Sequence, residues 1–327
     1  MKTCLIGGTG RCGTSLVKKI LARHKDVGIL PVEHRFTIDP DGIIDFYHNY
    51  TTVWSPYWAD TKLKRLEKLL YDVSYSGWID KSTSQLLKIL KIIGINISPK
   101  RYIEIELNNS IPNFSLHINK LMNALRSFHY EGSRLGTDSY KINPKIDYSG
   151  QIPRESLKRI FQEFFRNVIG GVLKKQSKNL FVEDNTWNIL FASDLLQLIS
   201  GSKLISVIRD PRDVVASLST QKWMPTDKEK CAMIYKDIMS EWKKINKGLP
   251  KNLWMEIKLE NLIDKPENTM RKVTDFIGLS WEEKMINFDL SKGNVGRWIH
   301  DFSNHEKEKI NLLLQSEIEY LGYHDFS

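Results

Sequence analysis

Residues 4–22 decide the fold, and they read CLIGGTGRCGTSLVKKILA. The apolar start predicts a short buried strand, and the apolar residues that follow Ser15 recur at helical spacing. A strand, a glycine-rich turn and a helix in this order open a nucleotide-binding α/β unit. Residues 203–208 are apolar on both faces, which is typical of a strand inside a parallel sheet. We therefore predict an α/β fold, with a central parallel sheet and helices on both of its faces.

The middle of the chain departs from this alternation of strands and helices. Residues 40–150 are rich in tryptophan and tyrosine, and they contain helical patterns at 62–71, 84–93 and 113–129. We see no strand–turn–helix repeat there. We predict a single domain over residues 1–327 that is similar in architecture to P-loop NTPases, with residues 40–150 as a largely helical insertion or lid.

The charge balance points to an anionic partner. The chain carries a formal net charge of +9 at pH 7. Its basic residues are scattered among acidic ones, without a long run of like charge or a nucleic-acid-binding signature. A small, multiply charged anion explains the excess as well as nucleic acid does. Because the motifs described below favour the small anion, we expect no nucleic-acid partner.

The cysteines and the N-terminus bear on the compartment. Cys4, Cys12 and Cys231 are odd in number and form no CxxC pair, so we predict neither a disulfide framework nor a thiolate zinc site. The N-terminus lacks a signal-peptide pattern, and no stretch approaches the roughly 18 apolar residues of a membrane span. We expect a cytoplasmic protein that is not bound to a membrane.

The turn after the first strand has the chemistry of a phosphate site. Its glycines let the backbone approach an anion, and Thr14 and Ser15 add hydroxyl donors. The spacing from Gly8 to Gly13 is that of the Walker A motif GxxxxGK[ST], but Thr14 stands in place of the lysine, and the cation is Arg11. No second acidic strand end is evident to hold Mg²⁺, so we predict no metal. The alternative is a turn that merely closes a strand–helix corner.

A second anion site is predicted at the end of the strand at 203–208. Arg209 follows that strand directly, and ligands of open α/β sheets bind outside the carboxyl ends of strands. Ser217 lies two helical turns further on, so a phosphate beside this helix could meet both side chains. The alternative is that the charged residues of the segment RDPRD (209–213) pair with each other on a solvated helix start.

Four segments together resemble the sulfotransferases that use 3′-phosphoadenosine 5′-phosphosulfate (PAPS), and the resemblance is closer to the bacterial and tyrosylprotein-type members than to the cytosolic aryl type. In chain order they are GTGRCGTSL (8–16), SVIRDPRDVVAS (206–217), EIKLENLIDKPE (256–267) with FIGL (276–279), and GNVGRW (293–298). Leu259 stands where the family usually has tyrosine. Each motif is weak alone, but the ordered set spans nearly the whole chain.

The resemblance implies how PAPS would bind. Its 5′-phosphosulfate would lie in the loop, with Arg11 on the phosphosulfate and donors to the 5′-phosphate at the end of the loop; the implied loop residues are Gly10, Arg11, Cys12, Gly13, Thr14 and Ser15. Arg209 and Ser217 would hold the 3′-phosphate, which is the group that distinguishes PAPS from ATP. The C-terminal segment would add Lys292, Gly293 and, unless it only anchors that segment through a salt bridge, Arg297.

The general base has two candidates, Glu33 and His34, which follow the second predicted strand. They would lie beside the loop if that strand is parallel to the first. The stretch from residue 24 to Arg35 is similar to the HPEV…ETR stretch of tyrosylprotein-type members, in which the glutamate is the base. Cytosolic members use a histidine, whose pKa needs less tuning near neutral pH. We favour Glu33 and keep His34 as the alternative.

One position departs from the family. Members often carry E-K-T-P-x-N before the helix that precedes the 3′-phosphate strand, and this chain has Asp184 at the lysine position. The role of that lysine would have to pass to Arg11, Arg35 or another residue. Alternatively, Asp184 meets a cationic part of the acceptor.

The resemblance implies an enzyme that transfers a sulfuryl group from PAPS to a hydroxyl or amine acceptor by in-line displacement, and releases 3′-phosphoadenosine 5′-phosphate (PAP). We expect a small-molecule acceptor and keep a peptide or glycan as alternatives. The rival functions are a P-loop kinase or NTPase, which would need Mg²⁺ and ATP, and a non-catalytic polyanion-binding protein, whose binding would depend steeply on salt.

Overall fold

A computed structural model describes residues 1–75, 101–102, 104–132, 144–287, 290 and 293–323. Within these residues the chain alternates between strands and helices over much of its length. The strands are β1 Lys2–Gly8, β2 Val27–Ile29, β3 Phe128–Glu131, β4 Lys145–Tyr148, β5 Leu180–Asp184, β6 Ser202–Ile208 and β7 Trp254–Lys258.

The α-helices of the described residues vary from one turn to six. They are α1 Thr14–Leu21, α2 Arg35–Ile38, α3 Ile43–Thr52, α4 Pro56–Ser74, α5 Phe114–Leu125, α6 Arg154–Gln176, α7 Ala192–Leu198, α8 Pro211–Leu218, α9 Lys228–Lys247, α10 Leu259–Asp264, α11 Pro266–Ile277, α12 Trp298–Asp301 and α13 Asn304–Tyr320. In this part of the chain no helix combines the length and the hydropathy needed to cross a membrane.

The main sheet has five parallel strands in the order β2-β5-β1-β6-β7. After β1 the chain adds strands on one side, and from β6 onward it adds them on the other. The strand order therefore reverses between β1 and β6. In open α/β sheets such a reversal leaves a crevice at the carboxyl ends of the two strands, where ligands bind. The predicted α/β fold class is confirmed.

The chain divides into two compact units, and the first contains the whole five-stranded sheet. It comprises Met1–Ile29, Ser177–Leu196 and Gly201–Ser327. Its core is built from apolar side chains of the strands and of α1, such as Ile6, Val17 and Val207, which are fully buried. Burying these side chains is the main stabilising contribution, because each removes a large apolar surface from water.

The second unit comprises Leu30–Gln176 and Gln197–Ser200. Its core is aromatic: Phe36 packs against Phe114, Phe164 and Phe165 at ring-centroid distances of 5.5, 5.9 and 6.5 Å. Besides helices it contains a small antiparallel sheet formed by β3 and β4.

The pattern at 113–129 predicts more helix than the structure contains. Helix α5 ends at Leu125, since Arg126 adopts an extended conformation with φ −95° and ψ 125°. Phe128–Glu131 then forms β3, because its aromatic residues favour a strand and stack across it, as Phe128 does on Tyr148 at 4.7 Å. The predicted helix at 84–93 lies outside the described residues.

Candidate active site

The loop between β1 and α1 has the backbone of an anion cradle. Gly10 and Gly13 have φ of +89° and +97°, and Arg11 between them has φ of 56°, so three nearby residues adopt left-handed conformations. Gly13 also precedes α1 without a side-chain cap. Uncapped amides at a helix start, next to left-handed turns, are the usual setting for a bound phosphate. A Cβ on Gly13 would lie 2.7 Å from Cδ1 of Leu259, so a larger residue would also have to displace that side chain.

Cys12 belongs to the core rather than to the open face of this loop. Its side chain is fully buried among the apolar residues of the first unit. Burial raises the pKa of the Cys12 thiol, although backbone hydrogen bonds from the loop oppose that shift. The thiol therefore stays neutral, and Cys12 contributes no side chain to a ligand. Sequence reasoning could not separate it from its neighbours in the loop.

Arg209 lies at the carboxyl end of β6 and is only 5% exposed. Its Nη1 donates to the backbone oxygen of Arg11 at 3.1 Å, and its Nη2 donates to the backbone oxygen of Asn294. Nη2 also lies 3.2 Å from Oδ2 of Asp213. The Nε–H is buried and has no acceptor among the residues that the structure describes. A buried donor without an acceptor is costly, so this N–H suits an incoming anionic oxygen.

Arg11 joins the two predicted anion sites. Its Nε donates to Oγ of Ser217 at 3.0 Å, across 206 positions of sequence. Ser217 is buried, whereas Arg11 is exposed. The loop after β1, the end of β6 and helix α8 therefore meet at one place, the point where the strand order reverses. The structure thus brings Arg11, Arg209 and Ser217 together.

Asp213 holds the C-terminal segment against α8. Its carboxylate accepts the backbone N–H of Gly296 at 2.7 Å and that of Trp298 at 3.0 Å, besides its ion pair with Arg209. Sequence reasoning missed this positioning role of the fully buried carboxylate, because an aspartate in a helix start is usually only a capping residue.

The other predicted residues of the C-terminal segment, Arg297, Gly293 and Lys292, differ in their surroundings. Arg297 lies 2.6 Å from Asp301, four residues further along the same segment, in an ion pair. A Cβ on Gly293 would lie 2.7 Å from Ile263, so this glycine is tightly packed. Lys292 lies outside the described residues.

The charged residues of segment 209–213 do pair with each other, but not on a solvated helix start. Arg212 lies 2.8 Å from Asp210 and 4.1 Å from the ring centroid of Trp298, and its side chain is fully buried. The solvated alternative is therefore wrong. Arg212 and Asp210 therefore bond to each other at the start of α8. In Arg209, by contrast, the Nε–H has no acceptor among the described residues.

An acidic strand end lies beside the loop, although its carboxylate is not free to hold Mg²⁺. Strand β5 is adjacent to β1 and ends at Asp184, whose Oδ2 accepts a hydrogen bond from Oγ of Ser15 at 2.9 Å. Its Oδ1 lies 2.7 Å from Nζ of Lys18. Both carboxylate oxygens are occupied and the side chain is only 6% exposed, which leaves little room for a cationic acceptor group.

The candidate bases and Arg35 belong to the second unit. Glu33 forms an ion pair with Arg35 at 2.8 Å, and its side chain is 28% exposed. His34 is 3% exposed, and its ring stacks on Phe36 with centroids 5.1 Å apart. Glu33 is therefore the more accessible of the two side chains.

The first unit thus contains a cationic site of two guanidinium groups, a serine hydroxyl and a helix start, all at the carboxyl edge of the sheet. Such a set can bind two phosphate groups and stabilise negative charge on a transferred group. Within the described residues no group of three or more His, Cys, Asp or Glu side chains is placed to hold a metal ion.

A profile described as "Sulfotransferase family" matches residues 104–283, which is more than half of the chain. The chain belongs to the sulfotransferase family. It is accordingly a transferase of the sulfotransferase type. The matched range includes β5, β6 and α8. The loop after β1 precedes this range, so its assignment as an anion cradle depends on its backbone conformation alone. No curated protein sequence matches this sulfotransferase.

Several solved structures resemble this sulfotransferase at low identity. The sulfotransferase domain of the olefin synthase of Synechococcus PCC 7002 is 12% identical over 99% of this chain and 95% of its own, with a TM-score of 0.48. The sulfotransferase domain of the curacin biosynthetic pathway is 12% identical over 99% and 98%, with a TM-score of 0.44. A sulfotransferase of Mycobacterium tuberculosis H37Rv is 11% identical over 96% and 75%, also with a TM-score of 0.44.

Proposed function

We propose that this sulfotransferase transfers the sulfuryl group of PAPS to a hydroxyl or amine of a small molecule. Membership of the family supports the reaction type. The observation that carries the choice of donor is the buried Arg209 near Ser217 and Arg11, whose Nε–H has no acceptor among the described residues. A 3′-phosphate would give this donor its acceptor, and ATP carries no such group.

The two phosphate-bearing ends of the donor would bind beyond the carboxyl ends of different strands, β6 and β1. The 3′-phosphate would lie between Arg209 and Ser217, whose hydrogen bond from Arg11 would then be exchanged for bonds to phosphate. Arg11, thus released, would turn to the phosphosulfate. The 5′-phosphate would take the amides at the start of α1 together with the Thr14 hydroxyl.

The reaction itself needs alignment and charge stabilisation. The acceptor oxygen or nitrogen attacks sulfur in line, and the new bond forms as the bond from sulfur to the bridging oxygen of the 5′-phosphate breaks. The electron pair of the broken bond stays on PAP. Arg11 stabilises the charge that develops on the sulfonate and bridging oxygens. The acceptor proton passes to Glu33, with His34 as the alternative base.

A cavity in the second unit supports a small-molecule acceptor. It measures about 500 Å³ and is lined by residues 50–52, Trp54 and residues 151–154. Pockets of this size, with aromatic walls and a few polar groups, are typical of small-molecule sites.

The choice of base predicts different outcomes for two matched variants. Glu33→Gln should lower kcat by about 10²-fold or more with little change in PAP affinity, because it removes proton transfer but not donor binding. His34→Asn should have a smaller effect. The measurement is a pH profile of kcat. The fall in kcat at low pH (the acidic limb), which protonation of the base causes, should disappear in Glu33→Gln. If His34→Asn abolishes that limb and Glu33→Gln keeps it, the base is His34.

The donor is tested by thermal unfolding with four ligands: PAP, ADP, ATP with Mg²⁺, and AMP. A ligand that binds only the folded state raises Tm, and a concentration of about 100 Kd should give a shift of about 5 °C or more. We expect a large shift with PAP and small shifts with the others. A larger shift with ATP and Mg²⁺ would indicate a kinase or NTPase, and equal shifts that vanish with salt would indicate a polyanion-binding protein.

A further inference from the structure

Three side chains beside the loop form a cluster with unusual chemistry. Ser15 and Lys18 are three residues apart on α1, so they lie on the same face of the helix. Asp184 at the end of β5 accepts the Ser15 hydroxyl on one oxygen and contacts the Lys18 ammonium with the other. The side chains of Lys18 and Asp184 are only 10% and 6% exposed.

Without Lys18, this arrangement would be a divalent-cation site. Ser15 is at the serine or threonine position of the GxxxxGK[ST] pattern, and Asp184 ends the strand next to β1. In P-loop NTPases a hydroxyl and an aspartate in these two roles hold Mg²⁺ next to the phosphates. The Ser15 hydroxyl gives its hydrogen to Asp184, so its lone pairs are left to face a cation. In this chain the Lys18 ammonium group instead forms an ion pair with one oxygen of the Asp184 carboxylate.

The charge balance explains why a cation is required there. A buried carboxylate so close to a phosphate loop would repel an anionic donor, and in a partly buried site that repulsion is poorly screened. Neither Thr14 at the Walker lysine position nor Asp184 at the position of the family lysine supplies a positive charge. Lys18 supplies one from α1.

We propose that the Lys18 ammonium takes the place of a divalent cation at the donor site. It neutralises Asp184, which in turn orients Ser15, and PAPS binds without a metal for this reason. Lys18 is thus a positioning residue that acts through Asp184. This inference rests on the proposed PAPS donor. Asp184 stands where family members often have a lysine, and we assign the positive charge of that lysine to Lys18.

The test measures the affinity for PAP of wild type and variants in EDTA and in excess Mg²⁺. Wild type should bind PAP equally well in both. Lys18→Met should bind about tenfold more weakly in EDTA, because Asp184 is no longer neutralised. Its affinity should return with Mg²⁺, since Ser15, Asp184 and a phosphate oxygen can then share the metal. Direct binding of Mn²⁺ by electron paramagnetic resonance should appear with Lys18→Met and PAP, and not with wild type.

Matched variants separate this role from a structural one. Lys19→Met removes the neighbouring exposed lysine and should behave as wild type. Lys18→Arg should remain independent of metal. The double variant Lys18→Met/Asp184→Asn removes both charges, so its affinity for PAP should not respond to Mg²⁺. It leaves no unpaired buried charge, so it should be less destabilised than the single variant, which urea unfolding would measure.

The proposal is overturned if Lys18→Met binds PAP as tightly as wild type in EDTA, or if its weaker binding does not recover with Mg²⁺. A response of the double variant to Mg²⁺ would overturn it as well. A wild-type protein that fails to prefer PAP over ADP would instead refute the proposed donor, so the two failures are distinguishable.

Discussion

Arg209→Met should weaken PAP binding by about 100-fold and leave ADP binding nearly unchanged. The guanidinium is buried, and charge-assisted hydrogen bonds of this kind contribute about 1.5–3 kcal/mol each. ADP lacks the 3′-phosphate and therefore makes no use of the Nε–H. The measurement is titration calorimetry with both nucleotides, and the decisive quantity is the ratio of the two affinities.

Controls for Arg209 must address its structural partners. The substitution also leaves Asp213 without its ion pair, so unfolding by urea should show some loss of stability. Ser217→Ala removes the neighbouring hydroxyl without touching that pair, and it should lower PAP affinity by about tenfold. Equal losses for PAP and ADP in Arg209→Met would show that the residue only supports the fold.

The second large effect is expected on the rate of sulfuryl transfer rather than on the affinity for the nucleotide. Arg11→Met should lower the turnover of PAPS by about 10²–10³-fold, because it removes the cation that would stabilise the charge developing on the transferred group. The affinity for PAP, which lacks the sulfonate, should change by less than about tenfold. Turnover can be followed as PAP release, with water as the acceptor until a better one is known.

The matched control for Arg11 is Arg271→Met. Arg271 is also an exposed arginine, but it pairs with Glu267 on α11 and takes no part in the site. It should leave turnover unchanged. If Arg11→Met instead weakens PAP binding in proportion to its loss of turnover, Arg11 serves ground-state binding and not the transition state.

Much of the fold could be predicted because its signals are local. The strand, turn and helix at 4–22 and the apolar strand before Arg209 each follow from hydrophobic periodicity and glycine placement. Strand β3 could not be separated from the helical pattern before it, since the choice depends on its pairing with β4, which is a contact distant in sequence.

The candidate site was predictable to a lesser degree. Arg11, Arg209 and Ser217 stand at strand and helix ends, where topology alone brings them together. Lys18 gives no such signal, because a lysine on an amphipathic helix is usually exposed. Its burial depends on the position of Asp184, which only the pairing of β5 with β1 determines.

The long separation between Arg11 and Arg209 has a consequence for how the protein matures. These residues are 198 positions apart, so the candidate site does not form until most of the chain has been synthesised and the β1–β6 pair has closed. Such non-local pairing is the slow part of folding. Under the proposed function, nascent or partly folded chains are therefore unable to bind PAPS, and only molecules with a completed sheet compete for it.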